Sequence, residues 1–156
     1  MKISVIGAGV IGGNFARKLG EAGHDVQVAD ARRSEAVAPD VLETGARAVA
    51  LEDAVKDRDA VVLAIPFGVA GQLADLFASV PAETVVIDTS NHYPHLSGRI
   101  ETVEDGAIES VYTSELLGRP VVKAWYAALA GTQRTKVAPA GTPGVSNRWA
   151  PPTAPS

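Results

Sequence analysis

Apolar and polar positions along the first thirty residues follow two different periods. Lys2 to Ile6 is a short β-branched run. From Val10 to Ala22 the apolar residues Ile11, Phe15 and Leu19 recur at the spacing of one helical face. Val26 and Val28 then alternate with polar neighbours between Asp25 and Asp30. The pattern predicts strand, helix, strand, with glycines on the first turn. It continues with a weak strand over Ala46 to Leu51, a short helix around Glu52 to Lys56, and the strongly apolar run from Asp59 to Pro66. That run suits a strand buried on both faces, as central parallel strands are. Gly68 to Ser79 reads as a helix with Val69, Leu73, Leu76 and Phe77 inward, and Thr84 to Asp88 as a fifth strand. A polar connection containing Asn91, Pro94 and Gly98 precedes a sixth, Pro120 to Ala124. Strands alternating with helices imply a three-layer α/β fold around a parallel sheet of six strands, joined by right-handed crossovers.

The first turn holds Gly7, Gly9, Gly12 and Gly13 where a helix is about to start. Glycine in a regular element costs roughly 0.5–1 kcal/mol relative to alanine, so the cluster needs a reason other than stability. Gly7-Ala-Gly9-Val-Ile-Gly12, placed between a strand and a helix, is the dinucleotide-binding pattern of a doubly wound Rossmann-type sheet. In it Gly7 makes the tight turn, Gly9 lets a pyrophosphate reach the backbone, and Gly12 lets the helix pack closely on the strand. The helix amino terminus supplies free N–H groups and partial positive charge. A purely structural turn is the alternative.

Nucleotide choice is expected at the end of the second strand. Asp30, 23 residues after Gly7, suits the ribose hydroxyls of NAD, while Arg32 and Arg33 suit the 2′-phosphate of NADP. The reading favours NADP and keeps NAD open.

Composition narrows the functional classes. The chain has 156 residues, room for one compact domain. Its formal net charge of -4, with basic residues scattered, speaks against nucleic acid as a partner. No stretch reaches the roughly 20 apolar residues that span a bilayer, and the glycine-broken start does not resemble a signal peptide, so a cytoplasmic protein without a membrane partner is expected. It contains no cysteine, which removes disulfides and thiolate chemistry. Five of the ten prolines fall in the last eighteen residues, which divides the chain into a nucleotide-binding domain over 1–138 and a Pro-rich, disordered tail over 139–156.

Other chemistry is sparse. His92 and His95 form H-x-x-H without a supporting third ligand, so no metal site is assigned. Tyr93, Tyr112 and Tyr126 are each read as packing before proton donation, Ser90 lacks a base, and Lys123 is either a ligand for substrate or a snorkelling surface residue. No catalytic residue is assigned.

The runs VIGAGVIGGNFARKL, VADARRSE, VVLAIPF, VVIDTSNHYP and PVVKAW together resemble the coenzyme F420-dependent NADP reductases, over approximately residues 1–144. The resemblance implies hydride transfer between NADP(H) and a deazaflavin or related acceptor, with F420 as co-substrate. It makes Arg32 the phosphate ligand, sets Ile65, Pro66 and Phe67 beside the ribose and nicotinamide, and puts Thr89, Ser90 and Asn91 at the mouth of the site. The cofactor set is thus Gly7, Gly9, Val10, Ile11, Gly12, Asp30, Arg32, Ile65, Pro66, Phe67, Ser90 and Asn91. Two departures stand out. Tyr126 occupies the place of a polar family residue, and the segment VSNRWAPPTAPS replaces a longer family carboxyl-terminal part, as a truncation or frame shift would. A dinucleotide-binding module without catalysis is therefore the alternative, and an imine or hydroxy-acid reductase relative a further one. The oligomeric state is left open, a homodimer included.

Overall fold

The computed structural model describes residues 1–30, 37–126 and 130–135. Six strands form one parallel sheet: β1 (Lys2–Ile6), β2 (Asp25–Ala29), β3 (Arg47–Ala48), β4 (Ala60–Leu63), β5 (Val85–Asp88) and β6 (Val122–Lys123). Their order is β3-β2-β1-β4-β5-β6, so the chain winds outward from β1 to one edge and then from β4 to the other. The expected six-stranded, doubly wound Rossmann-type sheet is the fold. Ile3 pairs with Val26 on one side and Ala60 on the other, fixing the register of the three central strands.

Because side chains alternate along a strand, β1 and β4 feed two cores. Ile3, Val5, Val26, Val28 and Val62 face α1 (Val10–Glu21) and α2 (Pro39–Leu42), meeting Ala16 and Val41, with Phe15 and Leu19 packed at the margin. Ile6, Val61, Leu63 and Val86 face the opposite layer. There a 3-10 turn (Val69–Leu73) running into α3 (Ala74–Phe77), and then α6 (Glu109–Leu117), contribute Ala70, Leu73, Phe77 and Leu117.

Several elements differ from the pattern's expectation. Residues 51–57 form successive turns instead of a helix, and the Gly68–Ser79 helix is half 3-10. The third strand shrinks to Arg47–Ala48, since it lies at the sheet edge with a single neighbour. The connection before β6 is helical, holding α4 (Pro94–Ser97), α5 (Glu101–Glu104) and α6, and a last helix α7 (Ala130–Thr135) follows β6. The expected Pro-rich tail lies outside the described residues.

Leu63 has no exposed surface and sits on the central strand β4. Leu63→Ala should lower unfolding stability by about 2–5 kcal/mol in a denaturant titration. Val111→Ala, on the half-exposed face of α6, should change it by about 0.5 kcal/mol or less.

Candidate functional site

The strand order reverses between β1 and β4, and a cleft of about 1040 Å³ opens there at the carboxyl ends of the strands. Open α/β sheets bind ligands at this switch point, because the two crossovers diverge and leave a crevice.

The Gly-rich turn builds the floor. Gly7 has φ +107°, donates its N–H to the Ala29 carbonyl at 2.8 Å, and passes so near β4 that a Cβ on it would lie 2.2 Å from the Ala64 carbonyl oxygen. A Cβ on Gly12 would lie 1.7 Å from the Gly7 carbonyl oxygen. Gly9 differs from both: a Cβ there meets nothing within 4 Å, and the residue borders the cleft. Gly9 is also the N-cap of α1, without a side-chain cap, and the first turn carries no acidic residue. The first N–H groups of a helix have no partner within it. Room and donors therefore meet at one point, which suits an anion.

Of the residues singled out in the sequence, Gly7, Gly9, Val10, Ile11, Asp30, Ile65, Pro66, Phe67, Ser90 and Asn91 all border this one cleft. Gly12 lies beneath its floor, and Arg32 and Arg33 lie outside the described residues. Asp30, 8% exposed, accepts the Ala8 N–H at 3.3 Å, so its carboxylate is tied to the glycine turn.

Beneath the β5 side lies a polar network that no local motif announced. Asp88, 2% exposed, accepts the Ser90 N–H (2.9 Å) and hydroxyl (2.7 Å), the Thr113 hydroxyl (3.2 Å) and the Lys123 ammonium (3.1 Å). Lys123 also pairs with Glu109 at 3.0 Å and lies 5.2 Å from the centre of the Phe67 ring. Its ammonium is thus held inside the protein by two carboxylates, with the side chain 14% exposed, and does not reach out to water as a snorkelling side chain would. Its partners are 14 and 35 residues away in the chain, beyond the reach of spacing rules. Phe67 is clamped further by Tyr112, stacked at 5.6 Å, and by His92 at 5.4 Å.

His92 is buried against Phe67, with Nδ1 3.3 Å from the Ser97 hydroxyl. His95 is exposed beside Tyr93, so the two rings of H-x-x-H stand in different surroundings.

The segment after β6 closes the cleft on one side. Trp125, at φ +60°, packs on Phe15 of α1 with ring centres 4.7 Å apart. Asn14 donates to the Ala130 carbonyl at 2.9 Å, fastening α7 to α1, and Asn91 donates to the Tyr126 carbonyl at 2.8 Å. Trp125, Tyr126, Leu96 and Gln72 also border the cleft. Of these only Tyr126 drew attention in the sequence, because a tryptophan in left-handed backbone conformation has no periodic signal.

Fold and cleft together define an NAD(P)-binding domain of the oxidoreductase type. Residues 2–92 match the model of the family "NADP oxidoreductase coenzyme F420-dependent", and the chain belongs to that family. No curated protein matches it. Among solved structures it is similar to a hypothetical protein from Sinorhizobium meliloti, at 27% identity and TM-score 0.69, covering 87% of this chain and 66% of that one. A protein from Arthrobacter sp. FB24 assigned as an F420-dependent NADP reductase shows 21% identity and TM-score 0.61, covering 85% and 65% respectively. Glycerol-3-phosphate dehydrogenase from Saccharomyces cerevisiae shows 21% and 0.60, covering 86% and 44%. The chain thus spans just under two thirds of the length of the first two.

The glycines should separate by substitution. Gly12→Ala forces a Cβ onto backbone and should lower stability by roughly 3 kcal/mol or more, whereas Gly9→Val should stay within about 1 kcal/mol of wild type. Chemical denaturation of both variants checks this. Removing the cation from a buried pair leaves a carboxylate uncompensated, so Lys123→Met should cost roughly 3–5 kcal/mol in the same assay.

Proposed function

We propose that this chain binds NADP(H) in the switch-point cleft and takes part in hydride transfer to or from a deazaflavin or a related planar acceptor. The observation that carries the nucleotide half is the open space at Gly9, set against α1's uncapped amino terminus, with glycines at positions 7 and 12 that tolerate no side chain. The pyrophosphate would lie on the N–H groups of residues 9–11, and Arg32, just beyond Asp30, would read the 2′-phosphate. Pro66, Phe67, Ser90 and Asn91 would border the nicotinamide half. The family's own description supports NADP and F420 as the pair of redox partners.

The bound nicotinamide supplies the hydride chemistry; the protein's part is to position it and exclude water. Phe67 is suited to that part, since three neighbouring side chains fix its ring while it borders the cleft. The Asp30 carboxylate at the adenosine end favours a ribose diol and opposes a 2′-phosphate, so NAD(H) remains a measurable competitor. A dinucleotide-binding module without catalysis is the second reading.

Calorimetric titration with NADPH, NADH and F420 in turn tests the proposal. Saturable NADPH binding is expected in the micromolar range, on the order of -8 kcal/mol, abolished in Gly9→Val although that variant still unfolds cooperatively. A charge-assisted pair with the 2′-phosphate contributes roughly 1.5–3 kcal/mol, so Arg32→Ala should weaken NADPH about ten- to a hundredfold and leave NADH nearly unchanged. Unaltered NADPH affinity in Gly9→Val would refute the site. Equal losses of both nucleotides in Arg32→Ala would refute the role of Arg32.

A further inference from the structure

The hydrogen bonds around the end of β5 leave the side chains of Ser90 and Asn91 with one polarity toward the cleft. Asp88, ion-paired with Lys123, can only accept. Its Oδ1 receives both the N–H and the hydroxyl of Ser90, the latter at 2.7 Å. A serine hydroxyl has one hydrogen, and here Asp88 takes it. What Ser90 offers the cleft is then oxygen lone pairs alone. Asn91 repeats the logic: its Nδ2 is engaged by the Tyr126 carbonyl at 2.8 Å and the Tyr93 hydroxyl at 3.3 Å, which leaves Oδ1, an acceptor. Thr89 points its hydroxyl inward to the Leu63 carbonyl at 3.0 Å and adds no donor. At the α1 end of the same cleft the backbone offers donors.

We propose that Ser90 and Asn91 form an acceptor-only subsite that selects a pure hydrogen-bond donor on the ligand, the amino group of the nicotinamide carboxamide. Asp88 acts as a positioning residue, fixing the direction of the Ser90 hydroxyl. The inference rests on the dinucleotide reading above. A ribose hydroxyl both donates and accepts, so a wall of either polarity serves it. An amide NH2 only donates, and two side-chain acceptors side by side distinguish it from a methyl group or a carbonyl oxygen. The carboxamide would thereby be held in one rotation, and the ring face presented to the acceptor would be set by the protein.

The test compares NADP+ with its 3-acetylpyridine analogue, in which a methyl replaces the amino group, by calorimetry on the 156-residue chain; the NAD+ pair is run alongside. Wild type should bind the natural nucleotide about three- to tenfold more tightly, the value of one neutral hydrogen bond. Ser90→Ala should bring that ratio close to one by weakening the natural nucleotide only, and Ser90→Thr, which keeps the hydroxyl, should restore it. Asp88→Asn offers Ser90 a donor as well as an acceptor, so it should lower the ratio although Ser90 is intact. The ratio compares two ligands on one variant, so a general loss of stability does not move it. If Asp88→Asn fails to fold, the two Ser90 variants decide the subsite. Equal binding of nucleotide and analogue by wild type, or a ratio that survives Ser90→Ala, overturns the subsite while the nucleotide reading stands. A ratio unchanged in folded Asp88→Asn overturns the positioning role. Failure of wild type to bind NADP+ or NAD+ overturns both readings together.

Discussion

The constraint on which the site depends is a close approach of backbone to backbone. Gly7 passes the Ala64 carbonyl, and Gly12 passes the Gly7 carbonyl, at distances where no side chain fits. Helix α1 therefore starts directly over the junction of β1 and β4, not to one side of it. Its amino terminus faces the point where the crossovers part, and the cleft acquires a strip of N–H groups at its centre. Moving α1 outward by the width of a methyl group would separate those donors from the residues that follow β4 and β5. The glycines thus act on geometry first and on ligand access second, and only Gly9 belongs to the second class.

The rest of the cleft is arranged around that strip. Asp30 at one end is tethered to the turn through Ala8, and the Asp88–Lys123 pair secures the other end from below. A buried pair is weak support for net stability, since desolvation offsets much of the attraction. Its effect here is directional. It ties β5, β6 and α6 together through Ser90, Lys123, Thr113 and Glu109, and it assigns each polar group a role as donor or acceptor. This side of the cleft is consequently braced in its lower layer, and its upper rim consists of exposed side chains such as Tyr93, Leu96 and Tyr126.

Legibility in the sequence followed the range of the interactions. Strands β1, β2, β4 and β5 were readable because burial on one or both faces imposes a period of two or an unbroken apolar run. The Gly7-x-Gly9-x-x-Gly12 turn was readable because a local backbone shape demands local residues. Helix α6 was not, for its sequence ESVYTSELL has no apolar stripe, and one of its two buried residues is Thr113, which serves Asp88. The network under the cleft was invisible for the same reason. It joins residues 88, 109, 113 and 123, which only the crossover into β6 brings together. The cleft wall at Trp125 depends on a left-handed backbone that tryptophan rarely adopts.

The pairing of β1 carries a further implication, for the order of assembly. Its register against β4 joins Ile3 to Ala60, and against β2 it joins Ile3 to Val26. Strand β1 thus waits for its second partner, encoded beyond β3, and closing that loop is opposed by chain entropy before the second core can form. Until β4 arrives, β1, β2 and α1 would bury only the core on the α1 face and leave Ile6 exposed. During synthesis the growing chain therefore passes through an interval in which half a sheet is formed with one apolar face uncovered. That interval, more than the finished molecule, is where chaperone capture and misassembly would compete with folding.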